Sequence, residues 1–184
     1  MDSASIFHIP FHPFGRFQES AARRNGVFPL FWSCGGLEIR FTGSRLHLIL
    51  EAAFSQSEPW ILVELNGVPV IRMPLRPGVN DLCVLRGVEE GPVKRVRLFR
   101  ESPPVPADLR QRLLVQEVQW EGGAFLPAEE KPLRLEFVGD GLASGEGIAG
   151  DGGDLGRLPA FFSGYGAWPR LTADALGADF RVVS

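Results

Sequence analysis

Cysteine is nearly missing: only Cys34 and Cys83 occur in 184 residues, each in a strand-like run with no histidine or second cysteine nearby. Two such thiols make no metal site, and buried free cysteines are expected in preference to a disulfide. Histidine is almost as scarce, with His8, His12 and His47 as the full set. No apolar run approaches the roughly 20 residues that span a bilayer, so no membrane span is expected. There is also no basic stripe: the net charge of −3 is spread over mixed signs, which argues against a nucleic-acid partner. The opening MDSASIFHIPFHPFGRF has neither the basic start, the apolar core nor the small-residue cleavage site of a signal peptide. The expected location is cytoplasmic, or secreted if a leader precedes this sequence.

What is present is apolar and turn-rich. At 45% hydrophobic content the chain can bury one good core, or one core and part of a second. The 22 glycines and 15 prolines fall between apolar runs rather than in a repeat, which favours short strands joined by turns. In Gly36–Thr42, Leu37, Ile39 and Phe41 alternate with Glu38 and Arg40, the period of a half-buried strand. Arg45–Ala53 repeats it with Leu46, Leu48 and Leu50, and the intervening Thr42-Gly43-Ser44 predicts a hairpin of the two. Trp60–Leu65 and Val68–Met73 flank Asn66-Gly67, the dipeptide that tolerates the two positive φ angles of a tight hairpin turn. Pro69 and Pro74 push the return strand to a sheet edge. Asp81–Arg86, Lys94–Arg100 and Leu113–Trp120 add further strands; Phe99 shares a face with Arg95 and Arg97 and reads as an aromatic packed at the rim. The last run places Leu114, Gln116, Val118 and Trp120 on one face, and before it Ser102–Ala107 is a proline-stiffened loop. About eight strands at this spacing predict a β-sandwich, most plausibly a jelly roll, over residues 1–121.

Residues 122–132 read as a linker, after which the period changes. Leu133–Val138 is a more continuous apolar strand, and Gly139–Leu158 a glycine-rich, acidic loop. Ser163–Leu176 has helical spacing, with Tyr165, Trp168, Leu171, Ala175 and Leu176 on one side, Pro169 in the first turn and Gly177 as a cap. Ala178–Ser184 is a second strand. Strand, helix and strand make one parallel crossover unit over 133–184. By itself such a unit cannot cover Phe137, Phe180 and Val182, so this second domain is expected to be incomplete.

The chemistry-like stretch is Leu133–Gly147, LRLEFVGDGLASGEG, where a strand runs into Gly139-Asp140-Gly141 at its carboxyl end, the edge at which open α/β sheets place active sites. This context resembles the first block of the SGNH, or GDSL, hydrolases. The order of features resembles carbohydrate esterase family 2: Gly15-Arg16, FWSCGGLEIRFTGSRLHLIL at Phe31–Leu50, VELNG at Val63–Gly67, LFRE at Leu98–Glu101, LRLEFVGDG at Leu133–Gly141 and the segment Ser163–Ser184. The resemblance implies a mainly β fold, a jelly roll before a flavodoxin-like SGNH domain, and deacetylation of sugars such as acetylated xylan. It implies a carbohydrate partner and no cofactor.

The resemblance also implies that the nucleophilic serine follows Gly-Asp, and here that position is Gly141, which has no hydroxyl to add to an ester carbonyl. Its backbone N–H, one oxyanion-hole donor in the family, remains. The family's other oxyanion donors and its Asp-x-x-His base would lie beyond Ser184, so a missing C-terminal polypeptide is an expected partner. Ser144 reads as a turn cap rather than a substitute nucleophile, Asp140 as an anionic loop residue, and the three histidines as surface or rim residues. Glu146, Asp151 and Asp154 lack the ligand pattern of a calcium loop, so no metal is expected. The chain is thus expected to be inactive as given. The alternative is a non-catalytic carbohydrate-binding or structural sandwich, which exposed coplanar aromatics at Trp60 or Trp120 would support and their burial would weaken.

Overall fold

The computed structural model of the protein describes residues 1–151 and 158–184. A leading arm supplies β1 (Asp2–Ser5) and β2 (His12–Phe14), and α1 (Glu19–Asn25), closed by Gly26 at φ +67°, precedes β3 (Phe28–Pro29). The alternating runs then form β4 (Gly36–Phe41), β5 (Arg45–Ala53), β6 (Trp60–Leu65) and β7 (Val68–Pro74). They continue as β8 (Gly78–Leu85), β9 (Lys94–Arg100) and β10 (Arg112–Glu121). After β11 (Phe125–Leu126) come β12 (Arg134–Val138), α2 (Trp168–Ala175) and β13 (Asp179–Val183).

Two antiparallel sheets make a jelly-roll-like sandwich. One sheet runs β1-β10-β5-β8 with β3 also on β10; the other runs β11-β4-β9-β6-β7 with β2 also on β4. Their inner faces meet in a core built from the alternate residues of each strand, among them Leu37, Ile39 and Phe41 of β4, Leu46, Leu48 and Leu50 of β5, and Val96 and Leu98 of β9. Asn66 and Gly67, at φ +51° and +89°, turn β6 into β7, which lies at the sheet edge as its prolines require. Phe125 and Leu126, within the stretch read as linker, pair with Phe41 and Arg40.

Three expectations about how the elements run and face are corrected. Thr42-Gly43-Ser44 does not close a hairpin: β4 pairs with β9, whereas β5 pairs with β10 and β8, so the turn carries the chain from one sheet to the other. Both runs still bury their leucine-type face, because each lines the same core from opposite sides. In β10 a register shift between Val115 and Glu117 interrupts the alternation. Leu113, Val115 and Val118 are therefore the buried residues, and Gln116 turns outward to donate to Glu51 Oε2. The helix over Ser163–Leu176 is shorter than its spacing suggested and faces the other way. Pro169, Arg170 and Ala173 are buried, while Trp168, Leu171 and Leu176 are exposed.

β12 and β13 pair in parallel, from Arg134 opposite Asp179 to Val138 opposite Val183. Their inner side chains are covered by a layer that sequence reading did not supply, the outer face of the second sheet. Phe180 and Val182 are 3% and 1% exposed in a second core with Phe14, Leu62, Phe99, Cys34, Ala143, Ala167 and Ala173. Phe14 stacks on Phe180 with ring centroids 5.8 Å apart. Phe99, expected at a rim, is fully buried between Phe14 and Tyr165. Phe137 is only partly buried, edge-on to Trp168.

The second core has a charged border. Arg97 is 5.4 and 4.9 Å from the ring centroids of Phe14 and Phe99 and reaches Asp174 of α2 at 3.2 Å and Glu64 of β6 at 3.5 Å. Arg170 stands 4.0 Å from the Tyr165 ring and pairs with the same Asp174 at 2.6 Å. α2 thus turns its charged side inward because the sheet it covers is itself charged there. Burial and the charge of Glu64 push the Tyr165 phenol up.

Candidate functional site

β12 ends where Gly139 donates its N–H to Val183 O at 3.0 Å, the carboxyl end of both parallel strands. The chain then tightens: Ala143 and Ser144 donate to Asp140 O at 2.9 and 3.2 Å, and Glu146 donates to Gly141 O at 2.9 Å. Asp140 Oδ1 accepts from Leu142 N at 3.0 Å, so the aspartate braces its own turn. Gly145, at φ +82°, brings this coil against the next segment, where Ser163 N donates to Gly145 O at 2.9 Å; a Cβ there would stand 2.1 Å from Ser163 O.

The sandwich grips the coil through the FWSCGG turn. Ser33 Oγ lies 2.8 Å from Ser144 O and 3.2 Å from Glu101 O, within donating reach of both. Cys34, buried at φ +61°, donates from Sγ to Gly164 O at 3.0 Å. Burial pushes its thiol up to about 12. Cys83, expected buried, is exposed, and both cysteines are free. Glu101, fully buried, accepts from Arg72 Nε at 2.9 Å and from Tyr165 N at 2.7 Å, while Arg72 Nη2 also donates to Ala160 O and Phe162 O at 2.7 and 2.8 Å. Sequence reading missed Ser33, Arg72 and Glu101. The available signal was the pair Gly35-Gly36, since a Cβ on Gly36 would stand 1.9 Å from Leu98 O.

Between this coil and the proline loop lies a cavity of ≈410 Å³, lined by Ser57, Ser102, Pro103–Pro106, Gly141, Ser144, Glu146, Pro159, Phe162 and Ser184. Gly141 and Ser144 therefore face one space together with Glu146. A Cβ built at Gly141 would stand 2.1 Å from Glu146 Oε2, so the Glu146 carboxylate occupies the position a side chain would take. Ser144 is 2% exposed, and its Oγ donates back to Gly141 O at 3.0 Å, a bond to the preceding turn rather than the expected cap of the turn that follows.

The remaining candidates lie elsewhere. His12 Nε2 is 3.0 Å from Asp179 Oδ1, at the amino ends of β12 and β13, opposite to Gly141. His47 Nδ1 is 2.6 Å from Asp81 Oδ1 on the first sheet, and His8 is exposed at the end of a short turn. Asp151 is exposed and Asp154 lies outside the described residues. Among the described residues no group of three or more potential ligands is placed to hold a metal ion, and no helix is long and apolar enough to cross a membrane. Trp60 carries the Arg72 guanidinium 4.7 Å from its ring centroid and donates to Glu58 at 3.1 Å. Trp120 packs edge-on to Phe125 against the core. The two tryptophans form no shared open platform.

A jelly-roll-like sandwich with a strand–helix–strand unit on its outer face, and a Gly-Asp turn at the carboxyl ends of the parallel strands, is an architecture this chain shares with carbohydrate esterases among the solved structures. The particular neighbours among solved structures are carbohydrate esterase family 2 enzymes, matched over essentially the whole of this chain. It is similar to an acetyl xylan esterase of the rumen bacterium Butyrivibrio proteoclasticus, with 33% identity, a TM-score of 0.93, and coverage of 100% of this chain and 48% of that one. A family two carbohydrate esterase from Cellvibrio japonicus follows at 19% identity and TM-score 0.83, over 99% of this chain and 51% of that one. Another, from Clostridium thermocellum in complex with cellohexaose, matches at 18% identity and TM-score 0.81, over 94% and 50%. The chain spans about half the length of these neighbours. No protein-family profile matches the sequence, and no curated protein matches it.

Proposed function

We propose that this chain is an esterase-like, carbohydrate-binding half of a family 2 type hydrolase, which holds sugar in the cavity beside Gly141 and does not cleave acetyl esters by itself. One observation carries the reading: position 141, where the SGNH pattern has its nucleophile, bears no hydroxyl, and the Glu146 carboxylate fills its side-chain space. Acyl transfer by this route requires an oxygen nucleophile and a base that takes its proton. Ser144 spends its proton on Gly141 O, and no histidine is among the described residues lining the cavity. The Gly141 N–H leaves at most a partial oxyanion device.

The same reading makes a further polypeptide the expected partner. A parallel sheet is normally covered on both faces. β12 and β13 instead leave Arg134, Glu136, Val138 and Arg181 in solvent, and α2 exposes Trp168, Leu171 and Leu176. A segment that extends this sheet would bring the base to the Gly141 end. That a neighbour was solved with cellohexaose supports carbohydrate as the ligand class.

The test is hydrolysis of p-nitrophenyl acetate by the purified chain, which should proceed at the buffer rate. Turnover that survives purification and is abolished by Ser144→Ala would contradict the reading.

A further inference from the structure

A second cavity, of ≈380 Å³, adjoins the proline loop on its far side and shares Pro104, Val105, Pro106 and Ser184 with the first; Phe31, Trp32, Asp108, Leu109 and Gln111 complete its lining. Its walls are fixed. Gln111 Oε1 accepts from Val105 N at 2.9 Å and from Arg100 Nη2 at 2.8 Å, and Gln111 Nε2 donates to Ser57 O at 3.0 Å. The Asp108 carboxylate accepts from Ser55 N, Ser55 Oγ, Gln56 N and Arg110 N at 2.6 to 3.1 Å.

With the Gln111 and Asp108 side chains spent on the loop itself, the surface left to a ligand is mainly apolar; among the described residues its one ionised side chain is already saturated, and Ser184 Oγ, on the wall shared with the first cavity, is a lining hydroxyl without a partner. Phe31 is 50% exposed and Leu109 97%, and the Phe31 and Trp32 rings meet edge-on at 5.1 Å, so one ring braces the other. A rigid wall of aromatic and proline faces without a free charge offers nothing to a phosphorylated or carboxylated ligand. It suits an uncharged ring that has an apolar C–H face and keeps its hydroxyls at the edge, which is a pyranose.

We infer that Phe31 and Trp32 form an aromatic subsite for a later sugar ring of a chain whose first rings occupy the cavity beside Gly141. The ligand is then an oligosaccharide rather than a single acetylated sugar. This inference rests on the carbohydrate reading of the first cavity and adds a second contact to it. The preorganised loop makes the two sites act through one bound chain, so affinity rises with ligand length.

Calorimetric titration with acetylated xylohexaose and acetylated xylobiose tests this. The chain should bind the hexasaccharide at least about tenfold more tightly than the disaccharide. Phe31→Ala and Trp32→Ala should each erase that preference and leave disaccharide binding unchanged. Phe31 is half exposed, so its variant decides the matter even if Trp32→Ala loosens the adjoining turn. Gly141→Phe, which fills the first cavity, should abolish binding of both ligands. Retention of the length preference in Phe31→Ala, or its absence in the unmodified chain, overturns the subsite while the first cavity stands. Failure of the unmodified chain to bind either sugar, or binding indifferent to Gly141→Phe, overturns the carbohydrate reading itself.

Discussion

Asp108 keeps its charge for the sake of a loop. Hydrogen bonds from the Ser55 backbone first of all, then from the Ser55 hydroxyl and the Gln56 and Arg110 backbone, hold its carboxyl near 2, below the ordinary 3.8. A depressed pKa in the folded state means that the ionised form favours folding. The contribution is full above about pH 3.8 and is lost as pH falls from there toward 2. The melting temperatures of the chain and of Asp108→Asn should therefore differ most at neutral pH and converge through that interval. A constant difference down to pH 2 would contradict the assignment. Residues of this kind were poorly legible in the sequence, because a buried carboxylate in a proline loop differs from a solvated one only through donors far away in the chain. The Gly139-Asp140-Gly141 turn was legible, since it depends on immediate neighbours. That Glu146 fills the space beside it depends on how a non-periodic coil closes, and no spacing encodes that.

Among elements, the long alternating strands were legible because period 2 is local. Pairing was not: Thr42-Gly43-Ser44 is equally good chemistry for a hairpin and for a crossing between sheets, and the choice is made by β10, some seventy residues on. The strands of two to four residues and α1 carry too few side chains to show a period. β13 is the element whose surroundings differ most from its sequence expectation, buried where no cover was expected. Phe180→Ala should cost about 3 kcal/mol or more, because it removes a ring from a closed core and leaves a void against Phe14. Chemical denaturation followed by far-UV dichroism, which reports mainly the sandwich, should then shift together with tryptophan fluorescence, to which Trp168 of α2 contributes. A shift confined to fluorescence would mean that the strand–helix–strand unit unfolds alone.

For the molecule as a whole, the second sheet works on both faces. Its inner face builds the sandwich core, and its outer face supplies the missing layer for two parallel strands, with Glu101, Arg72 and Arg97 as polar ties. The sequence puts Phe99 on one face with Arg95 and Arg97 and at a rim; the shared face holds, and the rim does not, since Phe99 is buried in the second core. What covers an outward face is settled only by tertiary packing. The consequence for the site is that the coil bearing Gly141 is already held in place by the sandwich. The most direct measurement is acetate release from acetylated xylo-oligosaccharide by Gly141→Ser, alone and together with the C-terminal half of the Butyrivibrio proteoclasticus esterase. The account predicts the buffer rate for the variant alone, because no histidine lies among the described residues lining its cavity and the Glu146 carboxylate crowds the space a serine side chain would take, and measurable release from the combination. Efficient release by the variant alone would show that a group of this chain, Glu146 first among them, serves as the base and would contradict the account, and a silent combination would contradict the placing of the nucleophile at position 141.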